Sequence, residues 1–276
     1  MLTYEELLKI GENELLMSDI SDANIDAWYL LEYVTGMSRA AFFLKRAENI
    51  SQKEENEYRE VINKRKKHIP LQHITGTQEF MGFDFWVNEN VLVPRQDTEC
   101  LVENVLPYAY GKKILDMCTG SGCIIISLKK LEETAECTGV DISEKALEIA
   151  LKNARSNEAD VSFIKSDMFK NIMEKYDIIV SNPPYIRPDV IKTLEPEVRE
   201  HDPMLALDGG EDGLRFYRIL AEEGKKHLAR PGRIFMEIGY DQGKAVKEIF
   251  ENEGFKEVVV KKDLCENDRV VIAEYR

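Results

Sequence analysis

Ser181-Asn182-Pro183-Pro184-Tyr185-Ile186 is the stretch of this 276-residue chain whose residue types could do chemistry most directly. It follows Tyr176-Asp177-Ile178-Ile179-Val180, a short β-branched run that reads as a buried parallel strand. Two prolines fix their own φ and hold the residues before them extended, so a stiff backbone presents the Asn182 amide, with the flat face of Tyr185 beside it. Neither proline donates an N–H, which leaves carbonyl oxygens and Asn182 Oδ1 as a cluster of acceptors. Such a cluster suits an NH₂ group attached to a conjugated carbonyl or ring. The lone pair of that nitrogen is delocalised, and two acceptors gripping its hydrogens favour the pyramidal, localised geometry that attack requires. The plainer reading of Pro-Pro after a strand is a rigid turn.

The elements that must position this stretch follow from the alternation of strand and helix after residue 110, the signature of a parallel sheet covered on both faces. Lys113-Ile114-Leu115-Asp116-Met117 is the first strand. Cys118-Thr119-Gly120-Ser121-Gly122 is a small-residue turn opening a helix at Cys123, which lets a ligand approach backbone N–H groups at a helix N-terminus. The second strand ends in Gly139-Val140-Asp141, about 20 residues on, where an acidic side chain commonly accepts from ribose hydroxyls. Ser143 caps the next helix, expected through Ala154. A third strand over 161–164 ends in Ser166-Asp167-Met168, placing Asp167 to accept from an adenine amino group while Met168 packs on the ring. Ligands in open α/β sheets collect at the carboxyl ends of the strands, where all four loops converge.

Beyond Tyr185 the loop 187–212 is long, polar and rich in Pro and Gly, which suits a lid or a partner-facing wall. A helix over 213–228 and a strand over 233–238 follow. After a helix around 245–250, the runs 258–260 and 269–273 lack a helix-length insert, so they form an antiparallel end to the sheet.

The front of the chain is built differently. Up to about Lys67 it reads as helices: Thr3 with Glu6 and Ser51 with Glu54 fit the capping-box spacing, Asp22 can cap a segment carrying Ile25, Trp28, Leu31 and Val34, and Gly36 closes it. Ser38 starts another with Phe42, Phe43 and Leu44 as its apolar content. Lys64-Arg65-Lys66-Lys67 complements a helix C-terminus or meets a partner. Pro70 breaks the pattern. From Gln78 the period becomes two, and Phe83, Phe85 and Val87, a turn at Asn88-Glu89-Asn90, then Val91 and Val93 spell a hairpin joining two domains. In Pro94-Arg95-Gln96-Asp97-Thr98-Glu99, Asp97 is either the N-cap of the following apolar helix or part of a charge cluster that something uses.

Composition narrows the possibilities. Lys plus Arg total 37 against 51 for Asp plus Glu, a net charge of −14. That balance argues against nucleic acid as a direct substrate, because binding a phosphate backbone over a wide surface needs clustered cations. Five cysteines and four scattered histidines show neither a disulfide framework nor a zinc pattern, as suits a reducing cytoplasm. The acidic start differs from a signal peptide, and no apolar run approaches the roughly 18 residues of a membrane span.

With these marks the chain resembles the class I S-adenosylmethionine-dependent methyltransferases and, more narrowly, the bacterial release-factor glutamine methyltransferases. The resemblance runs nearly end to end. It rests on Pro70-Leu71-Gln72-His73-Ile74-Thr75-Gly76, on Pro94 to Glu99, on the Cys118 to Gly122 turn, on Asp141 and on Asn182-Pro183-Pro184-Tyr185. It implies a Rossmann-like α/β domain over 94–276, with a mostly parallel seven-stranded sheet and an antiparallel end. A helical substrate-recognition domain over 1–72 and a β-hairpin linker over 73–93 would precede it. By the same resemblance Cys118, Thr119, Gly120, Ser121, Gly122, Asp141, Asp167, Met168 and Asn182 would contact S-adenosylmethionine, with S-adenosylhomocysteine as product. Asn182, Pro183, Pro184 and Tyr185 would hold the glutamine amide of the Gly-Gly-Gln loop of a class 1 peptide chain release factor, Asn182, Pro183 and Tyr185 being the catalytic group. Cys118 stands where many relatives carry a glycine, and Met168 where an aromatic residue is common.

A sulfonium already provides the leaving group, so the resemblance calls for neither a metal nor a covalent enzyme intermediate. No neighbouring residue is an obvious general base, and the methylated amide can lose its proton to solvent. The Asn-Pro-Pro-Tyr tetrapeptide is shared with methyltransferases of adenine and cytosine amino groups. A DNA or RNA enzyme would carry a basic face and groups that stack a flipped base. A ribosomal-protein glutamine is a third substrate class, and a nucleotide-fold binding module without catalysis would have lost Asn182 or Asp141.

Overall fold

A computed structural model describes residues 2–276 as two compact units, one made of the residues up to Gly76 together with Glu195–His201, the other of Thr77–Leu194 and Asp202–Arg276. In the first unit the helices Tyr4–Leu16, Ala23–Thr35, Arg39–Lys45, Gln52–Arg65 and Leu71–Thr75 surround a core containing Leu7, Leu15, Trp28, Leu30, Leu31, Tyr58 and Ile62. Both capping boxes form: Thr3 Oγ1 and Ser51 Oγ accept from the amides of Glu6 and Glu54, and the two glutamates accept in return. Ser38 caps its helix, and Gly36 ends Ala23–Thr35 in the left-handed conformation. Asp22 departs from expectation, since it occupies an N-cap position without a side-chain hydrogen bond.

The apolar runs divide by face. Trp28, Leu31 and Phe42 are buried, whereas Ile25, Phe43 and Leu44 are exposed, because neighbours along a helix point about 100° apart. The basic run 64–67 is not a plain solvated helix end. Arg65 is 3% exposed and pairs with Asp26 Oδ2 at 2.6 Å and with Glu197 from the later segment.

The second unit begins with a hairpin, but not the expected one. Strand β1 (Thr77–Phe80) turns at Met81-Gly82 into β2 (Phe83–Trp86), while residues 87–95 run on without strand pairing. The Met81-Gly82 turn takes positive φ at both residues, 53° and 78°, the conformation a two-residue hairpin turn demands. Phe80 and Phe85 are at most 1% exposed and pack edge to face at 6.1 Å. Burying each ring contributes about 1.5–3 kcal/mol, enough to fix the hairpin on the sheet unit rather than leave it a free connector.

The main sheet has the order β5-β4-β3-β6-β7-β9-β8, with β3 (Lys113–Met117), β4 (Glu136–Asp141), β5 (Val161–Lys165), β6 (Tyr176–Ser181), β7 (Leu228–Glu237), β8 (Lys256–Lys262) and β9 (Asp268–Tyr275). β3 to β7 are parallel, and β9 runs antiparallel to both β7 and β8, giving the expected antiparallel end. The winding reverses between the adjacent strands β3 and β6, so the switch point lies at their carboxyl ends, next to that of β4. Among the described residues, no helix is long and apolar enough to cross a membrane.

Candidate active site

A cavity of about 380 Å³ opens at that switch point. Its wall includes Cys118, Thr119, Gly120, Ser121, Asp141, Asp167, Met168, Asn182 and Pro184 from the residues singled out by sequence. Gly122, Pro183 and Tyr185 are not in the wall. A Cβ on Gly122 would lie 2.8 Å from Ile126 and 3.2 Å from Ala150, so this glycine lets two helices close together behind the turn.

The turn after β3 is tightly held. Cys118 takes φ 65°, a left-handed conformation normally costing a side chain about 1–2 kcal/mol, so the cysteine keeps a glycine's backbone. Burial pushes its thiol far above the ordinary range, and its sulfur lies 4.0 Å from Met168 Sδ. Gly120 also has positive φ, and a Cβ there would meet nothing within 4 Å, so its Cα side faces open space. Beneath the turn, Asp116 accepts from Thr119 Oγ1 at 2.5 Å, and complete burial pushes its carboxyl up to about 7.

Asn153, fully buried on the helix Glu144–Ser156, ties this turn to the hairpin. Its Nδ2 donates to Ser121 O at 2.8 Å and Trp86 O at 3.0 Å, and its Oδ1 accepts from Trp86 N at 2.7 Å. Removing all three leaves buried backbone groups unpaired, each costing about 1–3 kcal/mol. Asn153→Ala is therefore expected to lower the unfolding free energy by about 3 kcal/mol and to weaken binding in the cavity at least threefold. Denaturant unfolding and calorimetric titration with S-adenosylhomocysteine would read both; unchanged values would show that the clamp is idle.

At the end of β4, Asp141 accepts from the amide of Gly120 through Oδ2 and of Ser143 through Oδ1, each at 2.9 Å. Burial raises its carboxyl and these amides pull it back down. One N–H per oxygen leaves lone pairs for a pair of hydroxyl donors. Asp167 is exposed and receives Lys170 Nζ at 2.5 Å, while Met168 is buried. The ligand that such a wall fits is a nucleoside with a flexible polar tail: a glycine-lined turn, a hydroxyl acceptor and a thioether face lie in one cavity.

Asn182 lies just past β6, with Nδ2 donating to Thr98 Oγ1 at 3.3 Å. Tyr185 turns away from the cavity wall, and its hydroxyl donates to Glu237 Oε1 at 3.3 Å. Glu237, at the end of β7, is 3% exposed, and burial raises its carboxyl against the nearby hydroxyls of Thr98 and Tyr185 and the charge of Arg269. The cluster 94–99 is thereby accounted for: Asp97 pairs with Arg269 at 2.9 Å instead of capping a helix, Glu99 accepts from Met81 N at 2.6 Å, and Arg95 pairs with the buried Asp202 at 2.8 Å. Thr98 was singled out only as part of the 94–99 run, and Glu237 went unnoticed in the sequence, although a glutamate closing the apolar run 234–236 is the same signal that Asp141 gives.

The loop 187–212 contains three short helices, Pro188–Ile191, Pro196–His201 and Met204–Leu207, and its end forms part of the wall through Pro203, Leu205 and Ala206. Gly209 N donates to Ile186 O at 2.9 Å, and a Cβ on Gly209 would lie 2.6 Å from Tyr185 Cα, so this stretch is seated directly on the Asn-Pro-Pro-Tyr backbone.

Residues 95–196 match the methyltransferase small domain, and residues 6–76 match the PrmC N-terminal domain. The crystal structure of a methyltransferase from Pyrococcus furiosus is similar with a TM-score of 0.55 at 21% identity, covering 70% of this chain and 89% of that one. Sheet order and matches together define a class I methyltransferase. The release factor glutamine methyltransferase of Agrobacterium fabrum is 42% identical, covering 98% of this chain and 96% of its own length. That of Clostridium acetobutylicum is 42% identical over 90% of each. The chain belongs to the release factor glutamine methyltransferase family.

Proposed function

We propose that this enzyme methylates the side-chain amide nitrogen (N5) of the glutamine in the Gly-Gly-Gln motif of class 1 peptide chain release factors. The observation that carries the reading is Asn182: its NH₂ is committed to Thr98, which leaves Oδ1 as an acceptor in the wall that Asp141 shares. S-adenosylmethionine, when bound, supplies a methyl group on a sulfonium and leaves as S-adenosylhomocysteine. The residues fitted to hold it are the 118–121 turn through close approach of its backbone, Asp141 through ribose hydroxyls, and Asp167 and Met168 around the base. Asn182 Oδ1 and the Pro183 carbonyl accept the two amide hydrogens, which fixes the nitrogen's orientation and favours its localised lone pair. Burial disfavours the thiolate form of Cys118. Pro184 lines the cavity and stiffens the acceptor, and Tyr185 braces it from behind.

The charge of −14 supports a protein over a nucleic acid substrate. The test supplies radiolabelled S-adenosylmethionine with a class 1 release factor, the same factor carrying Gly-Gly-Ala, ribosomal proteins, and DNA or RNA in parallel. Label on the motif glutamine, mapped by mass spectrometry and absent from the Gly-Gly-Ala factor, is the expected result. Label on ribosomal protein or nucleic acid alone would overturn the reading.

A further inference from the structure

Asn182-Pro183-Pro184-Tyr185 carries four carbonyls but, with two prolines, only two backbone N–H groups. Its carbonyls must be held by donors from elsewhere or left to a ligand. Upstream the sheet anchors it: Ser181 pairs with Met117 and Met236, and its hydroxyl donates to Met117 O at 2.6 Å. Downstream, Ile186 N donates to Leu207 O and Ile186 O accepts from Gly209 N, each at 2.9 Å. Those partners belong to the 187–212 loop, a softer support than a strand. A side chain, Gln242, reaches the backbone of the segment from the sheet instead. Gln242 occupies the N-cap position of the helix Gly243–Asn252, yet its side chain makes no capping bond there. Its Nε2 donates to Tyr185 O at 3.0 Å and to Gly213 O at 3.3 Å. Its Oε1 accepts from Gly239 N at 2.9 Å, just past the end of β7, and lies 3.3 Å from the Tyr217 hydroxyl. Main-chain groups alone settle the direction of this amide. An N–H only donates and a carbonyl only accepts, so a flip would set Oε1 against two carbonyls and Nε2 against an N–H. Gly213 leaves the room required: at its φ of 74°, a Cβ would lie 2.5 Å from Tyr185 O and 2.8 Å from Gln242 Nε2.

We propose that Gln242 is a positioning residue of the methyl transfer, holding Tyr185 O to the end of β7 so that the Pro183 carbonyl and Asn182 Oδ1 keep one geometry. This rests on the amide-methylating function given above. Gln242 is not in the cavity wall, so its effect passes along the chain. The two prolines fix their own φ and carry a shift at Tyr185 back to Pro183 and Asn182. A misplacement of about 1 Å at a reacting group costs about 10²-fold in rate, and a segment loosened at one end loses part of that. The bond to Gly213 O extends the same grip to the end of the loop, where the helix Arg215–His227 begins.

Gln242→Glu keeps the shape of the side chain and the acceptor for Gly239 but replaces the NH₂ donor with a second oxygen. Gln242→Met keeps the length and removes both polar ends without adding a charge. Each is expected to lower kcat about tenfold. KM for the release factor and Kd for S-adenosylhomocysteine should stay within about threefold, because the turn after β3 and the carboxylate ending β4 are left in place. Steady-state labelling of the release factor gives kcat and KM, and calorimetric titration gives Kd. A kcat within about threefold of wild type in both variants overturns the proposal. So does a Kd that rises in step with the loss of kcat in both, which would make Gln242 a support of the fold at large. A wild-type enzyme that leaves the release factor unlabelled defeats the proposed function, whereas a labelling wild type with undiminished variants defeats this inference alone.

Discussion

Asn182→Ala is expected to lower kcat on a release factor by about 10²–10³, the usual consequence of removing one preorganised polar partner of a reacting group. The direction follows from when the interaction matters. As the amide nitrogen gains a methyl group it gains positive character, and its N–H groups become stronger donors, so an acceptor at Asn182 Oδ1 acts more on the transition state than on the bound substrate. KM for the release factor should move far less, since a protein substrate is held over a broad surface. Pro183 remains in the variant, its carbonyl and fixed φ untouched, so the loss should stop well short of complete inactivity. Assays need saturating S-adenosylmethionine, because Asn182 lies in the cavity wall and its removal also weakens the cofactor. Turnover within fivefold of wild type under those conditions would refute the amide-acceptor role.

Asp141→Ala should raise the dissociation constant for S-adenosylmethionine at least tenfold. Two ribose hydroxyls donating to one carboxylate make charge-assisted bonds worth about 1.5–3 kcal/mol each, and the variant also frees the amides of Gly120 and Ser143 that the carboxylate now holds. Acidity gives an independent reading. Burial lifts this carboxyl above its ordinary value. Binding favours the ionised form, so wild-type affinity is full at high pH and declines as pH falls through the raised value, earlier than for a free aspartate. Calorimetry across pH on wild type and variant would show a slope in the first and none in the second; parallel curves would place the ribose elsewhere.

The sheet and most of its cavity were legible because the signals are local. A short, largely apolar stretch that runs into small or polar residues marks a strand end, and β3, β4 and β6 each announce themselves so, down to Asp141 and Asn182. The hairpin misled because Phe83, Phe85 and Val87 alternate through the true strand and beyond it, while the turn rests on Met81-Gly82, where methionine is an unusual left-handed residue. Asp97 resembled an N-cap for an equally local reason, and its partner Arg269 lies far along the chain, beyond any spacing argument. Glu237 stayed hidden for the same cause: it is ordinary alone and acquires meaning only when β7 is laid beside β6. Tyr185 was noticed, but its ring faces Glu237 and not the cavity, a direction that only tertiary packing decides.

The first unit has a history written into its composition. Arg65 has two buried or half-buried carboxylate partners, and one of them, Glu197, follows it by 132 residues. A ribosome adding about 5–20 residues per second needs roughly 7–26 seconds to cover that distance. During this interval the helices up to Gly76 exist with Asp26 as the sole counter-charge for Arg65 and without the helix Pro196–His201. The unit that begins the chain thus stays incomplete until Glu195–His201 has been made, a segment that follows the Asn-Pro-Pro-Tyr strand end. A fragment ending at Gly76 is, in the same sense, a fold missing its final piece.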